Sequence, residues 1–218
     1  MSKKIKLPRR LDTILAISGA MLCGLGAGFA NFASLGMDSV GTFYSGIRVA
    51  LGFELNQMGT VSYIVSAILF IFLWFAARKY VSFGSFIFIV VYGICANLGT
   101  MSMEFLFRTD SVVIRTIIAI IGELILFLGL GIYVAIDIGV DAFTGVILWI
   151  CDITHKKLAT IKIIFDLVLT VIGILLGGQL GVFTVITILA GGPCVEFFTK
   201  KVQKVYFKLL LDSEDLKL

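Results

Sequence analysis

Two stretches of the chain decide the fold: residues 19–38, GAMLCGLGAGFANFASLGMD, and residues 122–141, GELILFLGLGIYVAIDIGVD. Sliding the chain by 103 positions brings Gly19, Gly26, Gly28 and Gly36 onto Gly122, Gly129, Gly131 and Gly139, and Asp38 onto Asp141. Leu25, Ile47 and Leu55 likewise meet Leu128, Ile150 and Leu158. The windows 19–57 and 122–160 hold eight and five glycines, which would coincide about once by chance and coincide four times. After a gap of six residues, Gly84-Ser85-Phe86 falls on Gly181-Val182-Phe183. The chain reads as two copies of one unit, repeat one over about 11–105 and repeat two over about 112–200, in a single domain spanning 1–218.

Both stretches are apolar, and so is what surrounds them. Of 218 residues, 59% are apolar and 15% are charged, against roughly 25% charged in an ordinary soluble domain. A mean hydropathy of +1.08 agrees. This composition points to an integral membrane protein and excludes soluble enzymes, disordered regions and disulfide scaffolds. The net charge of +4 comes from basic clusters at segment ends. That is the pattern of membrane orientation rather than of nucleic-acid binding. Cys23, Cys95, Cys151 and Cys194 lie in or beside apolar runs and read as free thiols. Lys3, Lys4, Lys6, Arg9 and Arg10 before an apolar run imitate a signal peptide. The run 11–35 is too long for that, and its glycines recur in the second repeat, so it belongs to the fold.

A helix crosses the bilayer core in about 20 residues. Six segments qualify: 13–34, 58–77, 83–103, 112–136, 161–178 and 182–199. Two apolar pieces, 38–53 and 141–154, are too short at 16 and 14 residues and read as half-helices. With the N-terminus in the cytoplasm, six spans put Arg78, Lys79, His155, Lys156, Lys157, Lys162, Lys200, Lys201, Lys204 and Lys208 inside. Arg48, Arg108 and Arg115 stay outside, so the bias agrees in every loop. Each repeat is then span, half-helix, span, span. Three full spans is an odd number, so repeat two enters from the opposite side. The expected fold is all-α, with six transmembrane helices plus two short half-helices in two inverted-topology repeats. Interrupted helices at matching places mark a midplane site at a repeat interface; a duplication that yields only a stable bundle is the alternative.

The glycine-rich first span (Gly19, Gly24, Gly26, Gly28), the Leu35-Gly36-Met37-Asp38 turn, Gly84-Ser85-Phe86 and Gly191-Gly192-Pro193 resemble the YczE/YyaS/YitT group of bacterial integral membrane proteins. The likeness covers about 13–199. It implies a bacterial plasma-membrane location and a transport role, and it implies no substrate.

Asp38 and Asp141 each follow a Gly-x pair and open a half-helix. As N-caps they would accept the free backbone N–H groups of the first turn. As lining of a cavity at the broken points, they would disfavour an anion and suit a neutral, zwitterionic or cationic ligand, or take up a proton themselves. Glu123 lies about 11 residues into the fourth span with no lysine or arginine one turn away. A carboxylate there costs at least ~2.5 kcal/mol on insertion scales and must face protein or water. It reads either as a proton or cation coupling group or as a neutral carboxyl hydrogen-bonded to another helix. Lys162 and Asp166, Glu104 and Arg108, and Glu196 and Lys200 are i,i+4 pairs that read as local ion pairs. Asp166 points furthest into its span and is retained as a candidate. Asn31 and Asn97 suit hydrogen bonds between helices, with a ligand role as the alternative. Tyr44, Tyr63, Tyr80, Tyr92, Tyr133, Trp74 and Trp149 read as aromatic belts, with pocket walls as the alternative. Cys151 and His155, four apart, are two ligands and not a zinc site. Residues 200–218 read as a cytoplasmic tail, an amphipathic helix on the inner leaflet.

No nucleophile, metal set or cofactor motif appears, so no enzyme and no cofactor are expected. The expected partners are the lipid bilayer and a small-molecule or ion ligand, with a homodimer or a partner membrane subunit as assemblies. The leading expectation is a small secondary transporter or permease. Its rivals are a substrate-capturing subunit of a larger transporter, a passive channel and an assembly protein without a ligand. On a cysteine-free background, single cysteines at 78–82 are expected to label from the cytoplasmic side. Labelling from outside would overturn the six-span arrangement.

Overall fold

The structure, a computed structural model, describes residues 10–107 and 111–215. The charges at Lys3, Lys4, Lys6, Arg9 and Arg108, and the side chains of Lys208, Asp212, Glu214 and Asp215, lie outside the described residues. Among the described residues all regular structure is helical: α1 (Arg10–Ala33), α2 (Ser39–Ala50), α3 (Met58–Ala76), α4 (Phe83–Leu106), α5 (Val112–Ile136), α6 (Ala142–Thr154), α7 (Leu158–Leu175) and α8 (Val182–Asp215). Short 3₁₀ turns at Leu55–Gln57 and Arg78–Tyr80 flank α3.

Among the described residues five helical stretches are long and apolar enough to cross a membrane: Arg10–Ala33, Leu55–Ala76, Phe83–Leu106, Val112–Ile136 and Val182–Tyr206. The expected sixth, 161–178, is α7. It is not one of the five; it is 18 residues long, begins three residues earlier, and carries Lys162 and Asp166 in its first half. The two short pieces are α2 and α6, with 12 and 13 residues. At 1.5 Å per residue each is about 20 Å long, well short of a ~30 Å hydrocarbon core.

The centre of the molecule is the pair α1 and α5, which lie against each other along their length. Their contact is made of backbone. A Cβ on Gly26 would sit 2.4 Å from the Gly122 carbonyl oxygen and 2.5 Å from the Leu126 nitrogen. A Cβ on Gly129 would sit 2.5 Å from the Cys23 nitrogen and 2.6 Å from the Gly19 carbonyl oxygen. Gly19 thus faces Gly129, and Gly26 faces Gly122, so the helices run in opposite directions. At the middle of the seam the Cys23 thiol donates to the Leu126 carbonyl at 3.6 Å, and these two residues are themselves 103 apart. Without a hydrophobic driving force between helices in lipid, such close backbone contact supplies the van der Waals attraction.

The other elements pack around this pair. α4 lies on α1 and α8 on α5; α2 lies on α7, and α3 on α6. Two further close approaches tie the loops. The Leu35-Gly36 backbone meets Gly181, and the Met37 amide donates to the Thr184 hydroxyl at 3.1 Å. The Ile138-Gly139 backbone meets Gly84, and the Ser82 hydroxyl donates to the Ile138 carbonyl at 3.2 Å. Ser34 and Asp137, again 103 apart, both end a long helix in the left-handed conformation, at φ 55° and 53°.

From mid-depth, α2 and α6 run outward to opposite ends of α3. α2 ends beside the Leu55–Gln57 turn, where the Asn31 amide donates to the Leu55 carbonyl at 2.7 Å. α6 ends where Asp152 accepts from both Lys79 and Tyr80. That bond raises the Lys79 pKa and lowers that of Asp152. It also places Arg78 and Lys79 on the same end as His155, in keeping with the expected charge distribution. Tyr206 donates to Asp12 at 2.5 Å, so the start of α1 and the far part of α8 share that end as well. The expected separate tail helix is instead a continuation of α8, whose backbone is helical through Asp215 with Pro193 inside it.

The backbone contact at the centre sets a clear expectation. Gly26→Ala should lower stability by about 1–3 kcal/mol through overpacking. Gly192→Ala, where an added Cβ meets nothing within 4 Å, should leave it unchanged. Denaturation of the purified protein in detergent measures both.

Candidate functional site

The site begins with two helix starts. A helix leaves its first N–H groups without intrahelical partners, and inside a membrane no water relieves them. Asp38 caps α2, its Oδ1 accepting from the Gly41 amide at 3.2 Å. Asp141 caps α6, accepting from the Thr144 amide at 3.0 Å and from the Thr144 hydroxyl at 2.5 Å. The capping reading of both aspartates is therefore realised in the geometry.

Capping does not exhaust them. Asp38 and Asp141 line one cavity of about 150 Å³, together with Lys162 and Asp166 of α7. Cys23 and Leu126, from the middle of α1 and α5, also line it, so it lies at mid-depth. Asp166 accepts from Lys162 at 2.9 Å and from the Ser39 hydroxyl at 2.9 Å, which ties α7 to the start of α2. Lys162 is thereby engaged, and among the described residues no other basic side chain lines the cavity.

The walls are aromatic. The Tyr44 ring lies 5.6 Å from Phe143 and 6.4 Å from Tyr92, Tyr92 stacks on Phe88 at 5.6 Å, and Phe143 lies 6.1 Å from Phe165. All five rings line the cavity. Here the aromatic-belt expectation is corrected for Tyr44, Tyr92 and Tyr133. Tyr44 and Tyr92 are cavity walls, and Tyr133 is buried against Phe88 at 4.7 Å with no partner for its hydroxyl. Their helices face each other rather than lipid, which periodicity alone does not distinguish. Trp74, half exposed with Arg78 stacked on it at 4.2 Å, fits the belt reading.

Glu123 is 4% exposed, and among the described residues neither carboxyl oxygen meets a hydrogen-bond donor in bonding geometry. It projects from α5 towards Asp38, close enough for the two carboxyl groups to interact, and faces the Asp38 backbone amide without closing a hydrogen bond.

The two asparagines lie away from the cavity. Asn31 donates to the Leu55 carbonyl and to Thr100, and receives Gln179 on its carbonyl oxygens, joining α1, α4 and the α7–α8 loop. Asn97 accepts from the Gly59 amide at 2.6 Å and donates to Thr60 at 3.3 Å, joining α4 to α3. Both perform the interhelical role, worth ~0.6 kcal/mol per bond on average in a membrane.

Sequence reasoning missed Gln179, Ser39 and Thr144. Thr144 stands three residues after a capping aspartate, a legible signal. Gln179 lies in a loop and bonds to Ser45 and Asn31 across more than 130 residues, which no local pattern announces. His155 is a left-handed helix end whose amide donates to the Cys151 carbonyl at 2.9 Å. The four cysteines are free.

Residues 10–200 match the model of a family of unknown function, DUF6198. The chain belongs to that family. A relative in Haemophilus influenzae, an uncharacterised protein, is 22% identical over 184 residues, covering 84% of this chain and 81% of its own. No solved structure matches.

The caps separate charge from hydrogen bonding. Asp141→Ala should cost about 1 kcal/mol, within the 0.5–2 range for lost caps, whereas Asp141→Asn should retain most of that stability because asparagine caps equally well. Thermal denaturation of the two variants side by side measures the difference.

Proposed function

We propose that this protein is a small secondary transporter or permease of the bacterial plasma membrane, with its termini in the cytoplasm. Its two halves are inverted-topology repeats, and a small solute binds between them. The observation that carries this reading is the cavity itself. It lies at mid-depth, both short helices start at it, and Asp38 and Asp141 stand at those starts. Transporter sites of this type use discontinuous helices at the midplane of a repeat interface.

The pairing of equivalents supports the repeat. Gly19 meets the image of Gly26, Gly26 meets the image of Gly19, and Cys23 meets its own image Leu126. Each short helix packs on a helix of the opposite half: α2 on α7, and α6 on α3. That interlock would let one half rock against the other while the site stays between them. The likeness to the YczE/YyaS/YitT group belongs to the same reading. α7 then serves as the sixth crossing, its Lys162–Asp166 pair turned to the cavity rather than to lipid.

In this mechanism the protein performs no covalent chemistry. The solute enters from one side, displaces water from the cavity, and leaves after the halves reorient. Glu123, buried beside Asp38 without a partner, is the group that would take up and release the coupling proton or cation.

Full-length protein in proteoliposomes should accumulate at least one member of a panel of amino acids, amines, nucleobases and vitamins under an ion gradient. Glu123→Gln should slow gradient-driven uptake while exchange of solute across the bilayer persists. If no member of the panel moves down or up any gradient, the transport reading fails.

A further inference from the structure

We infer that the ligand of this cavity is a small organic ammonium ion. This rests on the reading of the cavity as a solute site and names the class of solute.

Charge comes first. Of the three carboxylates at the cavity, Asp166 is paired with Lys162 at 2.9 Å. Among the described residues Asp38 and Asp141 form no ion pair, Lys162 being held by Asp166, and they accept from N–H groups of their own helix starts and the Thr144 hydroxyl. A helix N-terminus offsets only about half an elementary charge. Two carboxylates facing one cavity, beyond the Lys162–Asp166 pair, therefore leave it electronegative. An anion is disfavoured, and a neutral solute leaves the charge unanswered.

Glu123 makes a separate observation. It is buried, comes from a different helix, has no hydrogen-bond partner, and projects towards Asp38. A carboxyl without a hydrogen-bond partner at such depth is satisfied by a proton or by a cation that arrives, and it stands behind the cavity wall beside Asp38 rather than in the lining itself.

The walls then choose between kinds of cation. Among the described residues, no group of three or more acidic, histidine or cysteine side chains converges as metal ligands. The cavity is lined instead by the rings of Tyr44, Tyr92 and Phe143, in contact with one another. Aromatic faces attract ammonium and quaternary ammonium groups and supply apolar contact to the alkyl part. A dehydrated metal ion would gain far less from them. Size agrees: a cavity of about 150 Å³ is of the kind that holds a benzene-sized guest, roughly six to eight heavy atoms.

Calorimetry on the full-length protein in detergent tests this with matched probes. Choline and butylammonium are the cations, 3,3-dimethyl-1-butanol and 1-butanol the neutral counterparts, and 3,3-dimethylbutyrate the anion. At least one cation should bind, about tenfold or more tighter than its neutral counterpart. Asp38→Asn and Asp141→Asn should each weaken that binding about tenfold, without lowering the stability of the unliganded protein, since both caps are retained. Tyr92→Leu should weaken it with the aspartates intact. The inference is overturned if a neutral or anionic probe binds as tightly as its cation, if all probes are silent, or if the asparagine variants bind like the parent. Silence of the cations with binding of another solute from the transport panel, sensitive to Asp38→Asn, would overturn the ammonium assignment and leave the transport reading standing. Silence and immobility of every solute would end both.

Discussion

The structure depends on one constraint: α1 and α5 must approach until backbone touches backbone. Gly19, Gly26, Gly122 and Gly129 are where this happens, and α4 and α8 pack directly on the two helices of that seam. Lipid tails are as apolar as leucine, so apolar surface alone does not select one helix partner over another. Close packing of small residues does. The seam also sets the register that brings Cys23 and Leu126 together at mid-depth, and the cavity opens beside that point.

A second consequence follows from the short helices. Ending a helix at mid-depth strands backbone N–H groups where water is absent, at several kcal/mol for each unsatisfied group. An aspartate at each start relieves this with a cap worth about 1 kcal/mol in water and more where no solvent competes. The cap then introduces a carboxylate into the interior. Fold and site are therefore coupled: the residues that make an interrupted helix tolerable also give the cavity its charge. Glu123 stands apart, since no helix end requires it and no side chain bonds it.

Much of this was legible before any coordinates. Five of the expected spans follow from run lengths, and the observed α5, Val112–Ile136, has the expected bounds, whereas α7 is not among the five and α8 runs on to Asp215. Gly-x-Asp at 36–38 and 139–141 announced both caps. The ion pair of Lys162 and Asp166 followed from i,i+4 spacing. Less legible was which way the aromatic residues face. Tyr44, Tyr92 and Tyr133 have the composition of belt residues, but neighbouring helices enclose them. In a chain apolar on all sides, hydrophobic periodicity carries little information about the inside.

The sequence by itself determined the membrane class, the existence of the helices and the two capped starts of the short ones, because these depend on local hydropathy and capping chemistry within a few residues. Only the tertiary structure decided that Asp38, Asp141 and Asp166 share a cavity, that Glu123 turns towards Asp38, and which helices Asn31 and Asn97 join. Those facts depend on how helices far apart in the chain cross, and the crossing is fixed by contacts such as Gly26 with Gly122 and Gly36 with Gly181, whose distances no local pattern encodes.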